Sequence, residues 1–280
     1  DTITQTASIG DRFAFTDDGP LAGALAVAAV DEVGLRDAGG PITASGTIEA
    51  SVGADREAGP VGVTFDTTQA DLAALGLSSD GVALTYTIGN GLITAVAGTT
   101  PVFTVTLTQP AAGNAYEASY VYSQSGPLDH PAAGLDTLNL PFALTVTDGD
   151  GDTAATSLTV TVTDDGPLVV DQVGLTVVEG GSAIGSGSGG VNLLANDTVG
   201  ADGAAVHQVT YVDDAGVSQT AVVDTSNGTT GPLDTQYGLL TVNGDGTWSF
   251  APDASAPHVN GAPLDAGFSY TLLDGDGDIS

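Results

Sequence analysis

Two boundary motifs 147 residues apart set the frame for any fold of this chain. FAFTDDGP at Phe13–Pro20 returns as VTVTDDGP at Val160–Pro167. A second pair keeps that offset, since VDEVG at Val30–Gly34 and VVEGG at Val177–Gly181 place Glu32 and Glu179 147 positions apart. A third motif, DGDGD, stands at Asp148–Asp152 and at Asp274–Asp278, 126 positions apart. Repetition at fixed spacing is the signature of one structural unit used more than once. The chain therefore divides into residues 17–165 and a shorter unit, 166–280, each opening at DDGP and closing near DGDGD. Residues 1–16 read as the terminal strand of a preceding repeat, and the second unit is expected to lack its final strand. Pro20 and Pro167 fix φ and bias the preceding residue away from helix, which makes each boundary a stiffened crossing between units.

Between these motifs the dominant period is two. Val, Thr, Ile, Tyr and Phe alternate in Val82–Ile88, Val102–Thr108, Ser119–Ser123, Phe142–Thr147 and Ser157–Thr163. The second unit continues with Val173–Glu179, His207–Val212, Thr220–Asp224, Gly238–Val242, Thr247–Ala251 and Phe268–Leu273. Such runs predict strands, and the glycines and prolines between them supply the turns. Only Thr67–Leu77 has helical spacing, with Thr68 as its cap. Gly180–Gly190, made mostly of Gly and Ser, is expected as a surface loop. The reading is all-β: tandem Ig-like or cadherin-like antiparallel β-sandwiches.

Charge narrows the function. Thirty-five Asp and Glu stand against three arginines, Arg12, Arg36 and Arg56, for a net charge of −32. Nucleic acid and anionic membranes bind through Lys and Arg, so neither is an expected partner. No apolar run reaches the length of a membrane-spanning helix, so no membrane insertion is expected. Cations are the natural partners, because self-repulsion on this scale opposes a compact state unless salt screens it or bound metal neutralises it.

The DGDGD loops concentrate that charge. Aspartates at alternate positions of a tight, glycine-rich loop can turn Asp148, Asp150 and Asp152, and likewise Asp274, Asp276 and Asp278, toward one point. Hard oxygen ligands at that density suit Ca²⁺ better than Zn²⁺ or copper. The loop is not an EF-hand, because Thr153 and Thr159 occupy the positions that need Gly and Glu. Asp17, Asp18, Asp164 and Asp165 of the two boundaries are further candidate ligands, with Glu32 and Glu179 at the start of each unit. An eleven-residue strand spans roughly 35 Å, so the loop at one end and the boundary at the other are expected to form separate sites, each completed from elsewhere.

Enzyme signatures are missing. His130, His207 and His258 are isolated in sequence and form no HxH or HExxH pattern, so spacing gives no zinc site. No GxSxG elbow occurs, and the one tryptophan, Trp248, reads as core rather than as a sugar platform. The chain is read as a non-enzyme.

In the first unit VDEVGL, VTFDTT, GVALTYTI, VFTVTLT, GPLDHP and LPFALTVTDGDGDTA follow in order and end at LTVTVTDDGP. This unit resembles the repeat domains of giant type I secreted adhesins, the RTX and biofilm-associated adhesins of Gram-negative bacteria. VNLLANDTVGADG, YGLLTVNGDGTWSFAPD and FSYTLLDGDGD make the second unit similar to VCBS or cadherin-like bacterial Ig modules. The resemblance implies tandem sandwiches, stiffened by Ca²⁺, that extend an adhesin from the cell surface and support cell adhesion and biofilm formation. It implies a secreted, extracellular or surface location, with neighbouring repeats of the same chain as partners. The RTX nonapeptide GGxGxDxUx is absent, which places this segment among extender repeats. Low cytosolic calcium would disfavour folding before secretion, and calcium outside would complete it. A second reading has the first unit bind a glycan or host protein through Gly113–Asp136.

Overall fold

A computed structural model of the chain describes residues 10, 16–23, 25, 27–51, 62–109, 117–132, 134–224 and 228–280. Its elements are almost all strands, as expected where β-branched and aromatic residues alternate along the chain. The first unit runs β1 (Leu21–Ala22), β2 (Ala28–Asp31), α1 (Val33–Ala38), β3 (Ile42–Ser51), β4 (Gly62–Phe65), α2 (Gln69–Ala73) and β5 (Ser78–Ser79). It continues with β6 (Val82–Gly89), β7 (Leu92–Ala97), β8 (Thr100–Thr108), β9 (Glu117–Gln124), β10 (Thr137–Thr147) and β11 (Thr153–Thr163). Two sheets form, in the orders β1-β3-β9-β8-β7-β6-β5 and β2-β11-β10-β4.

The core lies between these two sheets. Leu140, Phe142, Leu144 and Val146 of β10 and Leu158, Val160 and Val162 of β11 are buried, and the residues between them are not, as a sheet with one buried face requires. Phe103 of the larger sheet meets Tyr122 and Phe142 with ring centroids 5.5 and 6.4 Å apart, within the range of favourable aromatic pairs. The β6–β7 hairpin turns on Asn90 and Gly91, both at positive φ, the pairing that a two-residue hairpin favours.

The Thr67–Leu77 stretch yields the short α2. Thr68 accepts from the Asp71 amide while the Asp71 carboxylate accepts from the Thr68 amide, a reciprocal capping box. Helix α1 was not legible in the sequence, because VGLRDA is short and lacks apolar spacing. Gly39, at φ +60°, ends it, and Arg36 lies in its last turn.

The second unit contains β12 (Ile184–Gly185), β13 (Ala204–Val212), β14 (Ser218–Val222), β15 (Leu233–Thr235), β16 (Gly238–Val242), β17 (Trp248–Pro252) and β18 (Ser269–Asp274). Its sheets are β12-β17-β16-β15 and β14-β13-β18, around a second core that includes Val209, Leu240, Val242, Phe250 and Leu272. Two expectations change here. Within Gly180–Gly190, Ile184 and Gly185 pair with Phe250 and Ser249, so part of the stretch is strand. Gly185 is needed there, since a Cβ would lie 2.1 Å from the Trp248 carbonyl.

Val173–Glu179 is not a strand. In the first unit the matching β2 runs parallel to β11 beside β10. Beside β18 that position is held, among the described residues, by the single Leu273–Ile279 bridge, and residues 175–178 pair with no strand there. Leu175 is 46% exposed where the matching Ala28 is 7% exposed. A groove of about 800 Å³ that includes Val177, Tyr237, Trp248, Phe268 and Tyr270 in its lining marks the place. No helix of the described residues is long and apolar enough to cross a membrane.

Candidate metal centre

Each DGDGD loop is closed by its own first aspartate. The Asp148 amide donates to the Asp152 carbonyl at 3.0 Å, and Asp148 Oδ1 accepts from the amides of Gly151 and Asp152 at 3.1 and 2.8 Å. The second loop repeats this: Asp274 Oδ1 accepts from Gly277 and Asp278, at 3.0 and 2.5 Å. Gly151 and Gly277 take φ values of +110° and +116°, which a side chain would resist. Asp148 and Asp274 are thus turn-closing residues, both buried, each with its Oδ2 buried and unpartnered.

The third and fifth aspartates meet the boundary motif that opens the same unit. Oxygens of Asp17, Asp150 and Asp152 lie within 4.8 Å of one another, and so do those of Asp164, Asp276 and Asp278. The match extends to the backbone: a Cβ on Gly19 would lie 3.6 Å from Asp152 Oδ2, and one on Gly166 3.4 Å from Asp278 Oδ2. Strand length explains the pairing, because β11 carries the chain from one pole of the first sandwich to the other. The loop before it meets the preceding boundary, and the boundary after it meets the next loop.

The two clusters differ in burial. Asp17, Asp150 and Asp152 are exposed, whereas Asp164 is buried where the two units touch. There Asp276 Oδ2 accepts from the His130 amide at 2.9 Å and Asp278 Oδ1 from the Gly134 amide at 2.6 Å, tying the second unit's loop to the first unit. A third carboxylate cluster, Asp202, Asp274 and Asp276, adjoins it through Asp276. Asp202 was not singled out by its sequence, although it closes the VNLLANDTVGADG stretch. Its Oδ2 accepts from the Asp276 amide at 2.9 Å, and a Cβ on Gly275 would come within 2.8 Å of that oxygen, so a side chain there would displace the Asp202 carboxylate.

The remaining candidates take other positions. Asp165 pairs with Arg36 at 3.1 Å and accepts from the Ala201 amide, so α1 braces the boundary. Asp18 belongs to none of these clusters among the described residues. Glu32 is buried, its amide donating to Thr163 and its Oε1 accepting from Leu128 at 2.9 Å and from Gln124. Glu179, at the matching position, instead contacts His258 Nε2 at 3.1 Å, because no strand draws it inward. Residues 113–116 and 133 of the Gly113–Asp136 region expected to bind a ligand fall outside the described residues. Its remainder forms β9 and then crosses the joint.

Electrostatics at the joint are unfavourable without a cation. Burial first, with Asp276 and Asp278 next, pushes the Asp164 carboxyl up to about 8. Burial also raises Glu32 to about 8, against hydrogen bonds from Leu128 and Gln124 that lower it. Asp274 rises to about 7 and Asp202 to about 6, burial being the main cause in both. Groups of oxygens that repel one another and keep unpartnered atoms inside the protein fit a hard dication.

The split between turn-closing and converging aspartates is testable in chelator. Asp148→Ala strips the acceptor from two amides and is expected to cost about 1–3 kcal/mol in thermal melts. Asp148→Asn keeps an acceptor and should cost clearly less. Equal losses would mean that the charge, not the turn closure, is what the fold uses.

No protein-family model matches the chain, and no curated protein matches it significantly.

Proposed function

We propose that this chain is a structural extender segment of a secreted, calcium-dependent bacterial surface adhesin, with Ca²⁺ locking its β-sandwiches in series. The observation that carries the reading is the joint itself. Asp164 from the boundary, Asp276 and Asp278 from the next unit's loop and the adjoining Asp202 and Asp274 form an all-oxygen set, buried at Asp164, Asp274 and Asp278 and half-buried at Asp202 and Asp276, with unpartnered atoms on Asp164, Asp202 and Asp274. The same arrangement recurs at Asp17, Asp150 and Asp152, one unit earlier, which supports a coupling device used serially rather than a single ligand site. Neighbouring repeats are the partners this reading assigns. A dication bridging boundary and loop would restrict bending at each joint, and the carboxylates' repulsion would keep the joint open where calcium is scarce.

Isothermal titration of the chelator-stripped chain tests this. Discrete calcium uptake is expected, reduced both in Asp150→Asn/Asp152→Asn and in Asp276→Asn/Asp278→Asn. Uptake without fixed stoichiometry, or stabilisation matched by sodium chloride alone, would reduce the acidity to general screening.

A further inference from the structure

One cluster at the joint is unlike the others because it contains a nitrogen. A ring nitrogen of His130 and carboxylate oxygens of Glu32 and Asp164 lie within 4.8 Å of one another, and all three residues are buried. The His130 side chain has no exposed surface. Its Nδ1 stands 2.5 Å from Asp136 Oδ1, while its Nε2 is buried with no hydrogen-bond partner. Asp136 is itself fixed, its Oδ2 accepting from the Ala132 amide and its carbonyl from the Asp164 amide.

That constellation has a definite chemical sense. A carboxylate behind Nδ1 holds the ring proton on that nitrogen, which leaves the buried Nε2 lone pair free to accept. With Nδ1 taken by Asp136, Nε2 is the ring atom left for Glu32 and Asp164, and once both carboxyls are ionised three electron pairs converge with no donor among them. Gln124 and Leu128 both donate to Oε1 of Glu32, and neither hydrogen-bonds to Nε2. A cation satisfies all three at once. Calcium is served by oxygen, whereas a neutral imidazole with two carboxylates is a ligand set for a borderline transition-metal dication such as Zn²⁺.

We propose that Glu32, His130 and Asp164, with Asp136 orienting the imidazole, form a transition-metal site distinct from the all-oxygen clusters at the same joint. It goes beyond the calcium reading and shares only Asp164 with those clusters, so a filled site would tie the end of β2, the loop after β9 and the unit boundary together on the first unit's side. Sequence spacing could not reveal it, because Glu32, His130 and Asp164 are brought together only by the fold.

The test uses the whole chain with calcium held at about 2 mM, and zinc or cobalt(II) added alone. Uptake of one equivalent of zinc against a chromophoric chelator is expected, with ligand-field absorption when cobalt replaces it. Nitrogen chemical shifts of the unmutated chain should show His130 Nε2 as the bound atom. Asp136→Asn is expected to weaken zinc binding about 10–100-fold, and His130→Asn by at least as much while the calcium-dependent melt persists. The proposal is overturned if the calcium-loaded chain takes up no zinc, if uptake is unchanged in both variants, if His130 Nε2 stays unbound or carries a proton, or if calcium competes the zinc away. A chain that binds zinc through His130 yet melts identically with and without calcium would overturn the extender reading and leave this site standing.

Discussion

Chelator-stripped protein at pH 8 is expected to gain roughly 10 °C or more in melting temperature when about 2 mM calcium is added. A site held at ten times its Kd stabilises the folded state by roughly 1.4 kcal/mol, so three sites contribute roughly 4 kcal/mol, and tighter sites more. For a chain of this size each kcal/mol moves the midpoint by about 2–4 °C. Acidity supplies an internal control. Glu32 and Asp164, raised to about 8, and Asp274, raised to about 7, keep protons in the folded state that the unfolded chain releases near pH 4. Between those limits the unfolded state binds fewer protons, so the stability these groups confer is full below about pH 4 and is lost as pH rises toward 8. The slope is up to about 1.4 kcal/mol per pH unit for each proton so held. Metal-free protein should therefore melt higher at pH 5.5 than at pH 8, and the calcium-induced gain should be larger at pH 8. A metal-free midpoint that climbs between those pH values, or no response to calcium at either, would contradict the joint's electrostatics as described.

Much of this architecture was legible because strands report themselves through period two. β10 and β11 were visible in Phe142–Thr147 and Ser157–Thr163, although each begins several residues earlier, since the two strands pair along their whole length from Thr137 opposite Thr163 to Thr147 opposite Thr153. Val173–Glu179 shows the limit of that signal. Its composition suits a strand, but a strand needs a neighbour, and the neighbour that β11 provides in the first unit is not matched beside β18. Which carboxylates converge was harder to read. Spacing treats Asp148, Asp150 and Asp152 as equivalent, yet backbone closure of the turn claims the first of them, and the third point of the cluster comes from Asp17, over a hundred residues away. His130 and Asp202 lie in GPLDHP and VNLLANDTVGADG, but neither stretch has a metal-ligand spacing of its own. Their roles arise from loops at a joint between units, which no motif within one unit encodes.

Asp164→Asn is expected to reverse the sign of its effect with calcium. Asp164 is buried against Asp276 and Asp278, and in metal-free protein at pH 8 its charge or its retained proton costs stability. The amide keeps the shape and removes the charge, so in chelator the variant should melt higher, by about 2–4 °C for a relief of about 1 kcal/mol. In calcium the same change removes a charged ligand from the cluster with Asp276 and Asp278 and takes away most of that site's roughly 1.4 kcal/mol, which lowers the midpoint relative to the parent chain. Asp213→Asn provides the contrast. Its carboxylate accepts from Ala215 and Val217 within an exposed turn and belongs to no cluster among the described residues, so its effect should be small and alike in both conditions. Paired melts of the two variants, with and without calcium, decide the matter. If Asp164→Asn is destabilising to the same extent in chelator and in calcium, Asp164 serves the fold through hydrogen bonding alone and the joint is not a cation site. If instead the two curves cross, the carboxylate is a liability that only a bound dication redeems, which is the behaviour required of a joint that stiffens where calcium is plentiful and loosens where it is not.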